Sequence, residues 1–199
     1  MADWDVILSY RFNHAFKDEK AIKGLSVDEF IEKVFLHLNR SRIYIYDDEN
    51  QGFSHFVTDT GGLGREKTFM IENRNHRDVF LMKIDGVLFQ KKSKCDCAVI
   101  WGGEMDFIEF KTKASNKNDD TMEAHYNKIY KQLKLTIEYF ETSFRKVGLS
   151  FRNQFSRILA YGVFNPTVPT SSATEKILAA RFAKEVKVKL MFTNNTHLV

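Results

Sequence analysis

The segment Lys94–Lys113, KCDCAVIWGGEMDFIEFKTK, constrains the fold more than any other part of the chain. It predicts two short strands joined at Gly102-Gly103, a pair of residues suited to a two-residue hairpin turn. This turn sets Asp96 directly opposite Glu109, and Lys111 lies two residues beyond Glu109 on the same strand. Opposed residues in a hairpin point to one face of the sheet, so the sequence predicts both carboxylates and the lysine on a single face.

Asp96, Glu109 and Lys111 form the pattern D-x12-E-x-K among apolar neighbours. Opposed carboxylates destabilise a strand pair, and burying them without a partner costs still more. A divalent cation would compensate, and Mg²⁺ commonly binds one or two carboxylates. We expect the backbone carbonyl of Phe110 as a third ligand and Lys111 as the group that orients a water and helps to deprotonate it. The competing interpretation is an ordinary Glu–Lys pair with Asp96 at an exposed strand end.

Other acidic residues are weaker candidates for this site. Asp85 precedes Glu109 by enough residues to be a rival first ligand, but its neighbour Gly86 favours a role in a turn. Asp28, Glu29 and Glu32 lie on the first predicted helix, where a helix cap or a solvated charge is the favoured interpretation.

The apolar periodicity predicts an alternation of helices and strands along the chain. In order these are a helix over 26–38 with a Ser26–Glu29 capping box, strands at 42–46, 79–84 and 87–89, the Lys94–Lys113 hairpin, a long helix over about 121–144, a strand at 157–164, a helix at 172–184 and a strand at 186–192. Residues 53–77 give no clear pattern, apart from a loop at 60–65. The order indicates a single α/β domain over residues 1–199, with a central mixed sheet flanked by helices.

Composition narrows the setting and the class of partner. With 199 residues, a net charge of +4 and an isoelectric point near 8.9, the chain is compatible with a polyanionic partner. The N-terminal residues lack a signal-peptide pattern, and no apolar run could cross a membrane. The two cysteines, Cys95 and Cys97, are poorly spaced to bridge each other, so we expect core packing and a cytoplasmic location. Scattered histidines argue against a zinc site.

Five lysines after the predicted site are candidates for contacts with backbone phosphates. They are Lys113, Lys117, Lys128, Lys131 and Lys134. For the last three the alternative is a solvated face of the long helix.

These residues give the chain a resemblance to the PD-(D/E)xK nuclease superfamily. The matching features are Asp96 in KCDCAVI and Glu109-Phe110-Lys111 in DFIEFKTK, followed by the helix from Thr121 and the strand from Arg157. The resemblance covers roughly residues 26–165. It implies a restriction-endonuclease-like fold and cleavage of nucleic acid, most often DNA, that depends on Mg²⁺ with Mn²⁺ as a substitute.

The chain departs from the family pattern at two places. Cys95 stands where the family often has proline, and Gln132 is followed four residues later by Thr136 rather than by the tyrosine of the RecB-like branch. The subfamily is therefore unassigned, and we expect Gln132 on the surface. Two other interpretations stay open: a non-catalytic member that binds nucleic acid or protein, and a phosphoesterase for small nucleotides. A homodimer is compatible with a chain of this size.

Overall fold

The computed structural model describes residues 3–48, 50–60, 64, 67–90, 94–112, 119–165 and 172–198. Within them the chain forms four α-helices and ten β-strands, which confirms the predicted α/β class. The helices are α1 (Asp3–Phe16), α2 (Val27–Val34), α3 (Asp119–Lys146) and α4 (Ser172–Val186). The strands are β1 (Phe35–Leu38), β2 (Arg42–Asp48), β3 (Phe53–Val57), β4 (Phe69–Glu72), β5 (Val79–Lys83), β6 (Cys97–Trp101), β7 (Glu104–Lys111), β8 (Arg157–Phe164), β9 (Lys189–Phe192) and β10 (Asn195–His197).

The strands make two mixed sheets. The larger has the order β1-β5-β6-β7-β8-β9, with antiparallel pairing up to β7 and parallel pairing of β7 with β8 and of β8 with β9. A parallel pair needs a long crossover, which α3 provides between β7 and β8 and α4 between β8 and β9. The smaller sheet has the order β10-β4-β2-β3, and only its β10–β4 pair is parallel.

The larger sheet is covered on both faces. Against one face pack the helices, in a core rich in phenylalanine that includes Phe12, Phe16, Phe107, Phe140, Phe144 and Phe151. Against the other face packs the smaller sheet, through a second core that includes Ile43, Ile45, Ile71, Leu81, Val99 and Ile108. Burial on both faces explains why β6 is apolar at every position.

The predicted hairpin is confirmed in its turn and in its register. Trp101 pairs with Glu104, and the ladder runs without a shift to Cys97 paired with Ile108. Gly102 and Gly103 have φ angles of 50° and 81°, the left-handed conformation that a tight hairpin turn requires at both central positions.

Two predicted helices are also confirmed. In α3 the predicted apolar stripe is buried, from Tyr126 to Phe144. At the start of α2, the Ser26 hydroxyl accepts a hydrogen bond from the Glu29 N–H, and the Glu29 carboxylate accepts one from the Ser26 N–H. None of the helices within the described residues is long and apolar enough to span a bilayer.

Several boundaries and one whole layer differ from the sequence prediction. The helix predicted over 26–38 ends at Val34, because residues 35–38 pair with β5 as a strand. Residues 87–89 are not a strand and follow a turn at Gly86 instead. Helix α4 continues to Val186, so the last predicted strand begins only at Lys189.

Helix α1, strands β3, β4 and β10, and hence the smaller sheet, were not predicted. The buried residues of α1 are Leu8, Phe12 and Phe16, a stripe of one residue per turn that gives a weak helical signal. Strands β4 and β10 have only four and three residues, too few for an alternating pattern to stand out.

Candidate active site

The candidate site lies where the β6–β7 hairpin opens, at the end opposite its turn. The last recorded pair of the ladder is Cys97 with Ile108, so the next pair in the same register is Asp96 with Glu109. Lys111 is the last residue of β7, two positions beyond Glu109. The sequence-predicted opposition of the two acids is therefore consistent with the observed register.

The chain bends at Asp96 as it enters β6. Residues 95 and 97 would share one face of a regular strand, yet Cys95 lies in the helix-side core and Cys97 in the core between the sheets. The carbonyl of Asp96 accepts hydrogen bonds from the N–H groups of both Ile84 and Asp85, at 3.2 and 3.1 Å. Two residues facing one across an antiparallel pair is a β-bulge, a feature that re-aims side chains.

At the end of the β6–β7 ladder, the Asp96 side chain accepts a hydrogen bond that a backbone carbonyl would accept in a regular strand pair. Its carboxylate accepts a hydrogen bond of 2.6 Å from the backbone N–H of Phe110. Burial raises the pKa of Asp96 to about 7, and the N–H of Phe110 opposes this increase. The negative charges of Asp47 and Asp85 raise the pKa further, whereas the Lys111 ammonium lowers it.

Glu109 is fully buried and is held on one side only. Lys111 donates a hydrogen bond to its Oε1, and the two form an ion pair. Among the described residues Oε2 has no hydrogen-bond partner. Burial raises the pKa of Glu109 well above its ordinary value, and the charge of Asp96 raises it further, while Lys111 and Lys128 lower it. The charge of Asp96 therefore acts on Glu109.

Lys111 also affects the third predicted ligand. Its ammonium donates a hydrogen bond of 2.9 Å to the backbone carbonyl of Phe110. A carbonyl oxygen has two lone pairs, so this bond leaves one acceptor position on Phe110. Lys111 thus contacts a carboxylate and a carbonyl that were both predicted to bind a cation.

Asp85 has the turn role that was predicted for it, and it also lies close to the charges of the site. Its carboxylate accepts a hydrogen bond of 3.0 Å from the Gly86 N–H, as expected of a turn residue. Burial raises the pKa of Asp85, the Gly86 N–H opposes this, and the charge of Asp47 adds to it. Asp85 therefore lies within the electrostatic reach of the site.

The acids of α2 do not show this behaviour. Asp28, Glu29 and Glu32 are all exposed. Hydrogen bonds from Ser26 lower the pKa of Glu29, as expected of the capping role.

Asp47, on the smaller sheet, was missed by the sequence analysis. It follows Ile43 and Ile45, which point into the core between the sheets, so its position in β2 is on the face toward the larger sheet. At Gly86 an added Cβ would lie 1.9 Å from the Gly52 carbonyl oxygen, so the β2–β3 turn sits directly on the turn after β5. The alternation I-x-I-x-D was the signal that could have identified Asp47.

The predicted phosphate-binding lysines fall into three groups. Lys128 is exposed, and its charge acts on both Glu109 and His125, so it lies near the site. Lys131 is exposed on α3, whereas Lys134 is paired with Glu185 of α4 at 2.7 Å. Lys113 and Lys117 lie outside the described residues, as do most residues of the predicted loop at 60–65.

Gln132 is not on the surface, and that prediction is wrong. Only 7% of it is exposed, and its Nε2 donates a hydrogen bond of 2.8 Å to the Lys94 carbonyl. The predicted packing of the cysteines is confirmed, because Cys95 and Cys97 are free and buried.

The donor set matches a cation that needs few protein ligands. In the described part of the chain no group of three or more His, Cys, Asp or Glu side chains is arranged to hold a metal ion. A zinc site takes at least three protein ligands, usually His or Cys, and a calcium site takes six to eight oxygen ligands, so both are a poor match for this arrangement. Mg²⁺ keeps several waters and often uses one or two carboxylates, which Asp96 and Glu109 could supply.

Comparisons with known proteins do not assign the chain to a family. No family model matches the chain, and neither the curated proteins nor the solved structures contain a significant match.

Proposed function

We propose that this protein is a metal-dependent nuclease of the PD-(D/E)xK superfamily, which hydrolyses phosphodiester bonds in nucleic acid, with DNA as the expected substrate. The observation that carries the proposal is the register of the β6–β7 hairpin, in which Asp96 is next in line to oppose Glu109. Glu109 is buried in an ion pair with Lys111, and the half-buried Asp96 adds a second carboxylate beside that pair. This second carboxylate is difficult to explain as a stabilising device, because a charge taken out of water without an opposite charge of its own is costly.

The order of elements supports a restriction-endonuclease-like core. Strands β5, β6 and β7 form an antiparallel meander, and α3 then leads to β8, which is parallel to β7. This is the sequence of strands, helix and further strand that the resemblance implies. The smaller sheet would be an addition to that core.

Asp96, Glu109 and the Phe110 carbonyl are the groups that would hold Mg²⁺. Oε2 of Glu109 has no hydrogen-bond partner among the described residues, and the pKa values of both acids are raised; a bound cation would relieve both features. When bound, the cation supplies charge stabilisation at the phosphate and a more acidic water. Lys111, which bonds Glu109 and the Phe110 carbonyl, would orient the attacking water and stabilise developing negative charge.

Lys128 is the described lysine best placed to contact a phosphate of the substrate. It is exposed and acts on Glu109, whereas Lys134 already has an acidic partner. The free thiols of Cys95 and Cys97 agree with a protein that works in the reducing cytoplasm.

One observation favours a second candidate, a non-catalytic member of the same fold that binds nucleic acid or protein. Lys111 already neutralises Glu109 and occupies the Phe110 carbonyl, so the three groups can satisfy one another without a cation. The alternatives differ in what the protein does to DNA when Mg²⁺ is present.

The test is incubation of the protein with supercoiled plasmid and with single-stranded DNA in Mg²⁺, in Mn²⁺ and in EDTA. The proposal predicts cleavage with either metal and none in EDTA, and loss of cleavage in Asp96→Asn and Glu109→Gln. A bis-aryl phosphodiester in parallel reports hydrolysis of small substrates. DNA binding without cleavage under every condition would favour the non-catalytic alternative.

A further inference from the structure

One turn of α3 forms hydrogen bonds with the two residues that precede Asp96. The Lys94 ammonium donates a hydrogen bond of 2.9 Å to the Leu135 carbonyl, and the Lys94 carbonyl accepts one of 2.8 Å from Gln132. The Cys95 N–H donates a hydrogen bond of 2.8 Å to the Thr136 hydroxyl. Three separate contacts within the turn 132–136 thus hold a stretch of chain two residues long.

Thr136 has the central part in this arrangement. It is fully buried, and its hydroxyl both accepts from Cys95 and donates, at 2.7 Å, to the Gln132 carbonyl of its own helix. The hydroxyl therefore links the helix backbone to the incoming strand. A buried backbone N–H that loses its acceptor is costly, so few other residues could replace Thr136 here.

These hydrogen bonds restrict the backbone around Asp96 and so orient its carboxylate. On the N-terminal side of Asp96, Thr136 fixes the Cys95 N–H, and on the C-terminal side Ile84 and Asp85 fix the Asp96 carbonyl. The Lys94–Cys95 peptide is thus held one residue before Asp96, and the Asp96–Cys97 peptide directly after it. Between these two points the side chain is directed at the Phe110 N–H, where it forms its hydrogen bond.

We propose that Thr136 is a positioning residue: its hydroxyl holds the Lys94–Cys95 peptide, one residue before Asp96, and thereby sets the Asp96 carboxylate at the Phe110 N–H, opposite Glu109. The consequence for cleavage rests on the proposed function. The positioning itself does not, and it can be measured in the protein without metal or substrate.

The experiment compares Thr136→Val, which keeps the shape but removes the hydroxyl, with Thr136→Ser, which keeps the hydroxyl. Ile137→Val is the matched control, because it removes one buried methylene from the next residue of the same helix. The first readout is the NMR chemical shift and hydrogen-exchange rate of the Phe110 amide. The second is the rate of Mg²⁺-dependent cleavage of plasmid DNA, with a melting curve for each variant.

The proposal predicts a shifted and faster-exchanging Phe110 amide in Thr136→Val alone. Cleavage by Thr136→Val should fall roughly 100-fold, the scale expected for a misplaced catalytic group, while Thr136→Ser and Ile137→Val stay near wild type. If Thr136→Val does not fold, Gln132→Met, which removes the donor to the Lys94 carbonyl, should shift the same amide in the same direction.

An unchanged Phe110 amide in the folded variant would overturn the positioning, and so would cleavage by Thr136→Val equal to that of Ile137→Val. A wild-type protein that cleaves nothing would refute the proposed function only, since the amide measurement still decides the role of Thr136.

Discussion

Three acidic side chains of the β6–β7 hairpin have an environment that resists ionisation: Asp106 and Glu109 are buried, and Asp96 is half-buried. Asp96 and Glu109 lie at the open end, while Asp106 lies further into the sheet, on the face that packs on the smaller sheet. Burial raises the pKa of all three. The hairpin register predicted the first two as site residues from sequence. Asp106 has no opposed acid, so the register gave no signal for it.

Asp106 should make the fold less stable as the pH rises. Burial raises its pKa from 3.8 to about 7, against smaller opposing effects of Arg157 and Trp101. Because the folded state holds this proton more tightly than the unfolded chain does, its stabilising contribution is lost as the pH increases through about 7. Asp106→Asn cannot ionise, so its stability relative to wild type should increase between those pKa values by at most about 1.4 kcal/mol per pH unit.

Urea denaturation of both proteins across this pH range measures the effect. Asp78→Asn is the contrasting control: the hydrogen bond from His37 lowers the pKa of Asp78 below 3.8, so its contribution is lost only on acidification below that value and stays constant across this range. A stability difference between Asp106→Asn and wild type that does not vary with pH would contradict the assigned environment of Asp106.

Asp47 should influence the ionisation of Asp96 from the other sheet. Removing its charge with Asp47→Asn should lower the pKa of Asp96 from about 7 toward the ordinary range, because Asp47 raises it. The measurement is a carbon-13 NMR titration of the Asp96 carboxyl. Asp48→Asn is the matched control: it removes the same charge one residue away, on the opposite face of β2. Equal effects of the two variants would show that Asp47 does not face the site.

At the scale of elements, helix α3 has two flanks that contact different parts of the molecule. One flank, with Gln132 and Thr136, holds the segment that leads into Asp96. The other packs toward α4, where Tyr130 and Lys134 both contact Glu185. Hydrogen bonds from Arg181, Lys134 and Tyr130 lower the pKa of Glu185 to about 2.

This division predicts different effects of the lysines of α3 on DNA binding. Lys128→Ala should weaken binding and flatten the dependence of log K on log salt by about 0.7–0.9, the amount expected for one lost phosphate contact. Lys134→Ala should leave the salt dependence unchanged and instead weaken the contact between α3 and α4. Fluorescence-anisotropy titrations of labelled DNA over a range of salt concentrations test both. If both variants flatten the salt dependence of DNA binding equally, both lysines contact DNA and the predicted difference between them is wrong.

The elements that sequence could predict are those whose determinants are local. The Gly102-Gly103 turn and the stripe of α3 are encoded within the segments that form them, so both were found. Strand β1 was mistaken for helix because the spacing of Val34, Phe35 and Leu38 matches a helical stripe. In the structure Phe35 and Leu38 lie on opposite faces of the larger sheet, an arrangement that only the pairing with β5 decides.

At the scale of the whole molecule, the smaller sheet depends on contacts that no local pattern contains. Its parallel pair joins β4 to β10, with Glu72 aligned to His197 at the other end of the chain. The sequence therefore predicted one covered sheet, while the structure has a second sheet that brings Asp47 toward the site. The α/β class and the hairpin register that leads to Asp96 and Glu109 could be predicted from sequence. The position of Asp47 relative to them depends on the second sheet, which could not be predicted.

Calorimetric titration of Mg²⁺ into the wild-type protein and into Asp96→Asn, Glu109→Gln and Lys111→Ala tests the central claim most directly. We expect binding to wild type, weakened binding to both carboxylate variants, and binding to Lys111→Ala that is at least as tight, because that change removes a positive charge beside the ion. Lys111→Ala should nevertheless be unable to cleave DNA. If Mg²⁺ binds the Asp96 and Glu109 variants as tightly as wild type, these residues do not form a metal site and the account is wrong.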